Sequence, residues 1–225
     1  MSSQNTPHAR APRGTLSPER IVNTAIDLID RDGLAALSTR RLAGELDVRP
    51  MALYTHFRDK DAILAAVTTE LLGRFEWPDP GTEDVEWLRQ VMRAYFRLYT
   101  AYPALLQLDV QSTRQVDDVE AKIAEQLYAR LARLNVDHRT AVGLLATLIR
   151  FVLGCATVYP VRRTWDEDPQ HWERVRQQWA HLPAEAYPSM HALTDDFPAF
   201  TQWDVFEFGL DTILAPLADR RSDRA

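Results

Sequence analysis

Between Leu37 and Lys60 the chain reads LSTRRLAGELDVRPMALYTHFRDK, and no other stretch restricts the fold as tightly. Ser38 is a helix-capping residue set ahead of Thr39, Arg40, Arg41, Leu42 and Leu46. Asp47-Val48-Arg49 interrupts that helix, and Pro50 suits the first turn of a second one, where a missing N–H costs nothing. Leu42, Ala43, Leu46, Val48, Leu53 and Phe57 fall on the inward side of the pair. Arg40, Arg49, Tyr54, Thr55, His56 and Lys60 fall on the outward side. Two short helices with an apolar inside and a basic, hydrogen-bonding outside form a helix-turn-helix. Its second helix enters the DNA major groove by its N-terminal residues.

The flanks agree. Leu16-Ser17-Pro18-Glu19 starts a helix predicted over Pro18–Asp32, with Ile21, Val22, Ala25, Ile26, Leu28 and Ile29 inward and Gly33 as a left-handed cap. A further helix is predicted over about Asp59–Glu76, ended by Trp77-Pro78-Asp79-Pro80-Gly81, which marks the domain boundary. Residues 1–15 form a polar arm, residues 16–77 the helix-turn-helix domain and residues 78–225 a separate body. Arg10 and Arg13 in the arm can reach a minor groove; the arm is equally compatible with a leader that touches nothing.

A net charge of −6 looks wrong for DNA binding until its distribution is considered. Residues 1–60 hold nine Arg/Lys against seven Asp/Glu, while residues 61–225 hold 17 against 25. The positive excess therefore sits where phosphates would be met, on an acidic body. One cysteine, Cys155, excludes an intrachain disulfide and fits a cytoplasmic protein. Met1–Thr15 lacks the apolar core of a secretory signal. Ala141–Val161 is long enough for a membrane span, but Arg150 interrupts it, so a buried bundle helix is expected and no membrane partner.

Every longer segment of the body has helical spacing, and the fold class is all-α. Helices are predicted over Glu83–Ala101, from Pro103 through Leu108, over about Val116–Leu134, over Asp137–Tyr159 and over about Thr201–Leu217. Pro160–Pro198 is expected to hold short helices within long connections. Asp137–Tyr159 and Thr201–Leu217 are apolar on two faces, one more than their own core requires. A homodimer joined through these two helices and their symmetry mates accounts for the excess, with Gly143, Ala146, Gly154, Ala156 and Gly209 allowing close approach. A fully internal helix in a monomer is the alternative.

Leu42-Ala43, Val48, Leu53-Tyr54-Thr55-His56-Phe57 and Lys60-Asp61-Ala62-Ile63-Leu64 resemble the DNA-binding domain of the TetR family of transcriptional regulators. In the body, Phe151–Cys155, Phe206–Leu210, Ser112-Thr113-Arg114 and Gln126-Leu127 resemble the tetracycline-repressor branch. The resemblance implies a dimer that binds a palindromic, double-stranded operator and is released by a small-molecule effector. It places operator contacts on Thr39, Arg40, Arg49, Pro50, Ala52, Tyr54, Thr55, His56 and Lys60. Arg40 and Arg49 are long enough to reach guanine edges or phosphates; Tyr54, His56 and Lys60 suit phosphates, the alternative for Tyr54 and His56 being to cap or brace the small domain; Ala52 and the Thr55 methyl suit thymine methyls. Met51, Ala52 and Thr55 differ from the tetracycline repressor's residues, so its operator is not expected here.

For the effector, the resemblance implies a wall of Met92, Phe96, Val110, Thr113, Arg114, Ile123, Gln126, Leu145 and Ile149. That repressor holds a magnesium–drug chelate through a histidine and a glutamate, and Val110 and Val158 stand at the matching positions. No metal or other cofactor is therefore expected, and an apolar or aromatic effector is. The six histidines show no HExxH-type spacing, and there is no phosphate loop or nucleophile elbow, so an enzyme is not expected. A regulator that works without an effector, or as an activator, is the other reading.

Overall fold

The computed structural model describes residues 16–111, 118–168, 170–194 and 201–222. These form eleven α-helices and a short 3-10 turn, with no strand among the described residues. The chain divides into two compact units, residues 1–67 and 68–225. The division falls inside the helix predicted over about Asp59–Glu76, which ends at Leu72, before the proline-rich breaker at Trp77–Gly81 is reached.

In the first unit, α1 (Pro18–Asp32) is capped by Ser17, whose side chain accepts from the Arg20 N–H at 3.2 Å. Its buried stripe is the predicted one, Ile21, Val22, Ala25, Ile26, Leu28 and Ile29. Gly33 ends it with φ 82° and ψ 160°. The positive φ was expected, but this ψ lies outside the left-handed helical region, in a conformation open almost only to glycine. A 3-10 turn at Leu34–Ala36 leads to α2 (Thr39–Glu45), capped by Ser38 through the Arg41 N–H at 3.2 Å. Asp47, at φ 55°, reverses the chain, and the Val48 N–H donates to Ala43 O at 2.9 Å. The second helix of the motif, α3, is short: Pro50–Leu53, continued as a turn by bonds from the His56 and Phe57 N–H groups to Leu53 O, each 3.0 Å. α4 (Lys60–Leu72) begins in the first unit and ends in the second.

The second unit is built on α5 (Asp84–Ala101), which packs against α6 (Pro103–Gln111), α7 (Asp118–Arg133), α8 (His138–Asp166) and α11 (Gln202–Ser222). Its buried residues recur at helical spacing from Val85 to Tyr99. Each large apolar side chain so buried contributes roughly 1.5–3 kcal/mol. Phe206 of α11, fully buried, stacks on Phe96 at 4.5 Å and on Phe151 at 5.8 Å, joining three helices in one aromatic core. Arg93 donates to both carboxylate oxygens of Glu207 at 2.8 and 2.6 Å, and Arg89 pairs with Asp211, so α5 and α11 are also joined by charge. The short helices α9 (His171–Ala180) and α10 (Pro188–Ala192) pack together, and α9 meets α8.

Two helices run further than predicted. α8 continues through Pro160 to Asp166, and α11 through Pro216 to Ser222. A proline removes one N–H from an interior turn at a cost of about 3 kcal/mol, but long, already packed helices can carry that cost. By length and composition His138–Pro160 could cross a membrane. In the chain 28% of its apolar window is buried: Ala141, Leu145, Leu148, Val152 and Ala156 pack against neighbouring helices, while Val142, Gly143, Thr147, Arg150, Gly154 and Thr157 face outward.

Candidate DNA-reading face and body cavity

The reading face rests on the buried residues Leu42, Ala43, Leu46 and Leu53; Val48 and Phe57 close its edge half-buried. With that side pinned, Arg40, Arg49, Pro50, Tyr54, Thr55 and His56 are exposed, and Thr39, Ala52 and Lys60 are half-buried. The Thr55 hydroxyl donates to Ala52 O at 2.7 Å, so its methyl is the part left to face a ligand.

Charge separates the arginines of this unit into two kinds. Arg31 binds Asp32 at 2.8 Å and Glu45 at 2.6 Å, and Arg41 binds Asp32 at 2.5 Å. The hydrogen bonds that Arg31 donates to Asp32 and then to Glu45 raise its pKa above the ordinary value. Arg40 and Arg49 hold no carboxylate among the described residues, which leaves both guanidinium groups available to phosphates or base edges. Met51, at the start of α3, is 72% exposed, the most exposed large apolar side chain described, and stands within the same face. Its position in the first turn of the groove-entering helix was the available signal, and the expected contact set omits it.

In the second unit a cavity of about 360 Å³ opens among α5, α6, α7 and α8. Leu72, Leu108, Ile123, Ala124, Leu127, Leu145, Ile149 and Leu153 make its apolar wall, and Tyr95, Tyr99, Asp109 and Glu120 its polar one. Tyr95 and Tyr99, one helical turn apart, stack at 5.8 Å, and the Tyr99 hydroxyl donates to Asp109 at 2.5 Å. Burial, then the charge of Asp109, pushes the Tyr99 phenol well above 10.

Of the expected lining residues, Ile123, Leu145 and Ile149 meet at this cavity. Met92 is fully buried elsewhere, and Phe96 lies in the aromatic core against Phe206. Val110 is 61% exposed and Gln126 is exposed on the outer side of α7. Thr113 and Arg114 lie outside the described residues. Tyr95 and Tyr99 carry the apolar spacing of α5, and that spacing hides their second role as cavity wall. Val158, at the other position matched to the magnesium-drug donors, is 44% exposed.

A second hollow, about 650 Å³, lies along α5 and residues 74–78. It is larger but less suited to an apolar ligand: Arg93 is committed to Glu207, and the Arg74 guanidinium sits 5.0 Å from the centre of the Tyr102 ring. No group of three or more His, Cys, Asp or Glu converges as a metal would require among the described residues.

Residues 21–67 match the sequence model of the bacterial regulatory proteins of the tetR family, and residues 77–221 match the tetracyclin repressor-like C-terminal domain. The chain is 29% identical to the HTH-type transcriptional repressor DrrR1 of Streptomyces coeruleorubidus, over 96% of this chain and 84% of that one. It is 26% identical to the class A tetracycline repressor of Escherichia coli over 92% of each. The crystal structure of the Streptomyces coelicolor TetR family protein ActR with actinorhodin superposes with a TM-score of 0.78, 26% identity and coverage of 91% of this chain and 96% of ActR. These relatives regulate transcription, a non-enzymatic role. Both domains match, in the order and at the places where a reading face and a ligand-sized cavity stand: the chain belongs to the TetR family, as a DNA-binding regulator of transcription.

Proposed function

We propose that this regulator is a ligand-responsive repressor, a homodimer that holds a palindromic operator and leaves it when a small apolar or aromatic molecule enters the body. The carrying observation is the reach of α4: it starts at Lys60, directly after the reading turn, and Leu72 at its other end lines the cavity. Phe75, just beyond, packs on the cavity residue Tyr95 at 4.7 Å. A ligand that displaces this end moves a helix whose beginning belongs to the reading unit. Operator and effector then oppose one another by linkage. DrrR1 and the class A protein are named repressors, and ActR has been solved with actinorhodin bound, which supports both halves of the reading.

Operator contacts are assigned to Thr39, Arg40, Arg49, Pro50, Ala52, Tyr54, Thr55, His56 and Lys60, with Met51 added for its exposure. The dimer is assigned to the outward faces of α8 and α11, where Val142, Val158, Val205 and Phe208 are exposed. Gly143 and Gly154 have open space where a Cβ would stand, so a partner helix can approach closely there. As a bacterial DNA-binding regulator the protein acts in the cytoplasm.

Fluorescence anisotropy of a labelled operator duplex tests the coupling. Among fused-ring aromatic compounds at least one should weaken operator binding. Ala124→Phe, which fills the cavity, should abolish that response with DNA affinity intact. A panel that binds the protein yet never shifts operator affinity contradicts ligand control.

A further inference from the structure

Among the described residues, the hydroxyl of Tyr95 is the one polar group of the cavity lining without a hydrogen-bond partner. The side chain is 8% exposed, its ring packs on Phe75 and on Tyr99 at 4.7 and 5.8 Å, and it lines the cavity. Its neighbour Tyr99 donates to Asp109, whereas the Tyr95 hydroxyl has no hydrogen-bond partner among the described residues. A buried hydroxyl without a partner is costly, and a ring packed against two aromatic neighbours is not free to swing out to water. The wall opposite is apolar from Leu72 to Leu153. Asp109 and Glu120, both already engaged, repel an anion, and no basic residue lines the cavity among the described residues.

We infer that Tyr95 is the specificity-determining residue of the effector site, donating a hydrogen bond to the carbonyl oxygen of a compact, uncharged, fused-ring aromatic ketone or quinone. This deepens, and rests on, the reading of the cavity as the effector site. The apolar wall and the Tyr95–Tyr99 stack take the rings; the phenol selects for an oxygen at one edge. A buried donor that finds its acceptor favours the oxygenated ligand over its hydrocarbon counterpart, because the hydrocarbon leaves the phenol unpaired.

The test uses the full-length protein with 9-fluorenone and fluorene, which share a three-ring skeleton and differ by one carbonyl. Calorimetry should show fluorenone binding roughly tenfold more tightly. Tyr95→Phe keeps the ring stack and should erase that preference by weakening fluorenone alone. The infrared carbonyl stretch of bound fluorenone should lie at lower wavenumber with the natural protein than with the variant. Equal binding of the two probes, or a preference and band position unchanged by Tyr95→Phe, overturns the role of Tyr95 while leaving the cavity as the effector site. Failure of both probes to bind overturns the site itself for fused-ring ligands.

Discussion

Arg40 and Arg49 differ from Arg31 and Arg41 in their neighbours: the latter pair is neutralised by Asp32 and Glu45, the former is not. A guanidinium that has no carboxylate of its own can exchange water for a base edge or phosphate at little cost. Arg49→Ala should cost about 1–3 kcal/mol on a specific site and much less on random duplex, measured by anisotropy; equal losses on both would make it a phosphate contact only. Gly209 makes a prediction of another kind. A Cβ there would stand 2.4 Å from Cζ of Phe151, whose ring also stacks on Phe206. Overpacking of about 1–3 kcal/mol outweighs the better helix propensity of alanine, so Gly209→Ala should lower the melting temperature. An unchanged or higher value would show that Phe151 moves aside freely. The sequence places Gly209 among residues suited to close approach between subunits; within the chain it faces Phe151.

Among the elements, α7 has a task besides lining the cavity. Arg130, 8% exposed, donates to Pro80 O at 2.7 Å, to Thr82 O at 3.0 Å and to Asp84 at 2.8 Å, with Trp87 4.4 Å from its guanidinium carbon. It therefore clasps the connection before α5. Arg130→Ala leaves three acceptors short of a donor and should destabilise the fold on the order of 3 kcal/mol in denaturant melts. Burial pushes the Asp84 carboxyl up, but hydrogen bonds from Arg133 and then Arg130 outweigh it and hold the group below its ordinary 3.8. A depressed carboxylate stabilises the fold above its unfolded pKa and loses that contribution as pH falls through the folded value. Acid unfolding below about pH 4 should thus be less steep in Asp84→Asn than in the natural protein. An identical acid limb would contradict the clasp. Helix starts were legible because caps are local: Ser17 and Ser38 do what their positions in the sequence imply. The ends of α8 and α11 were not: Pro160 read as a stop that tertiary packing overrides, and α11 runs on past Leu217 into the polar stretch up to Ser222, where the apolar stripe that marked it has ended. The cavity was half legible. Ile123, Leu145 and Ile149 were in the expected wall, but which face of α5 turns toward it depends on neighbours no local pattern specifies.

For the whole molecule, the proposal requires two copies. Phe208, 64% exposed on α11, and Val142, 55% exposed on α8, leave apolar surface that a second subunit would cover. Phe208→Glu should shift sedimentation from dimer toward monomer and abolish operator binding, with the helical content of each chain preserved. A variant that stays dimeric would move the interface elsewhere. The acidic balance beyond residue 60 disfavours contact of the body with a duplex, in keeping with the proposed reading by the basic head. All of this converges on how the protein meets DNA. Selection of bound sequences from random duplex, with full-length protein at moderate salt, should recover an inverted repeat whose half-sites lie about one helical turn, 34–36 Å, apart. Recovery of a lone half-site, or of no consensus at all, would contradict the account.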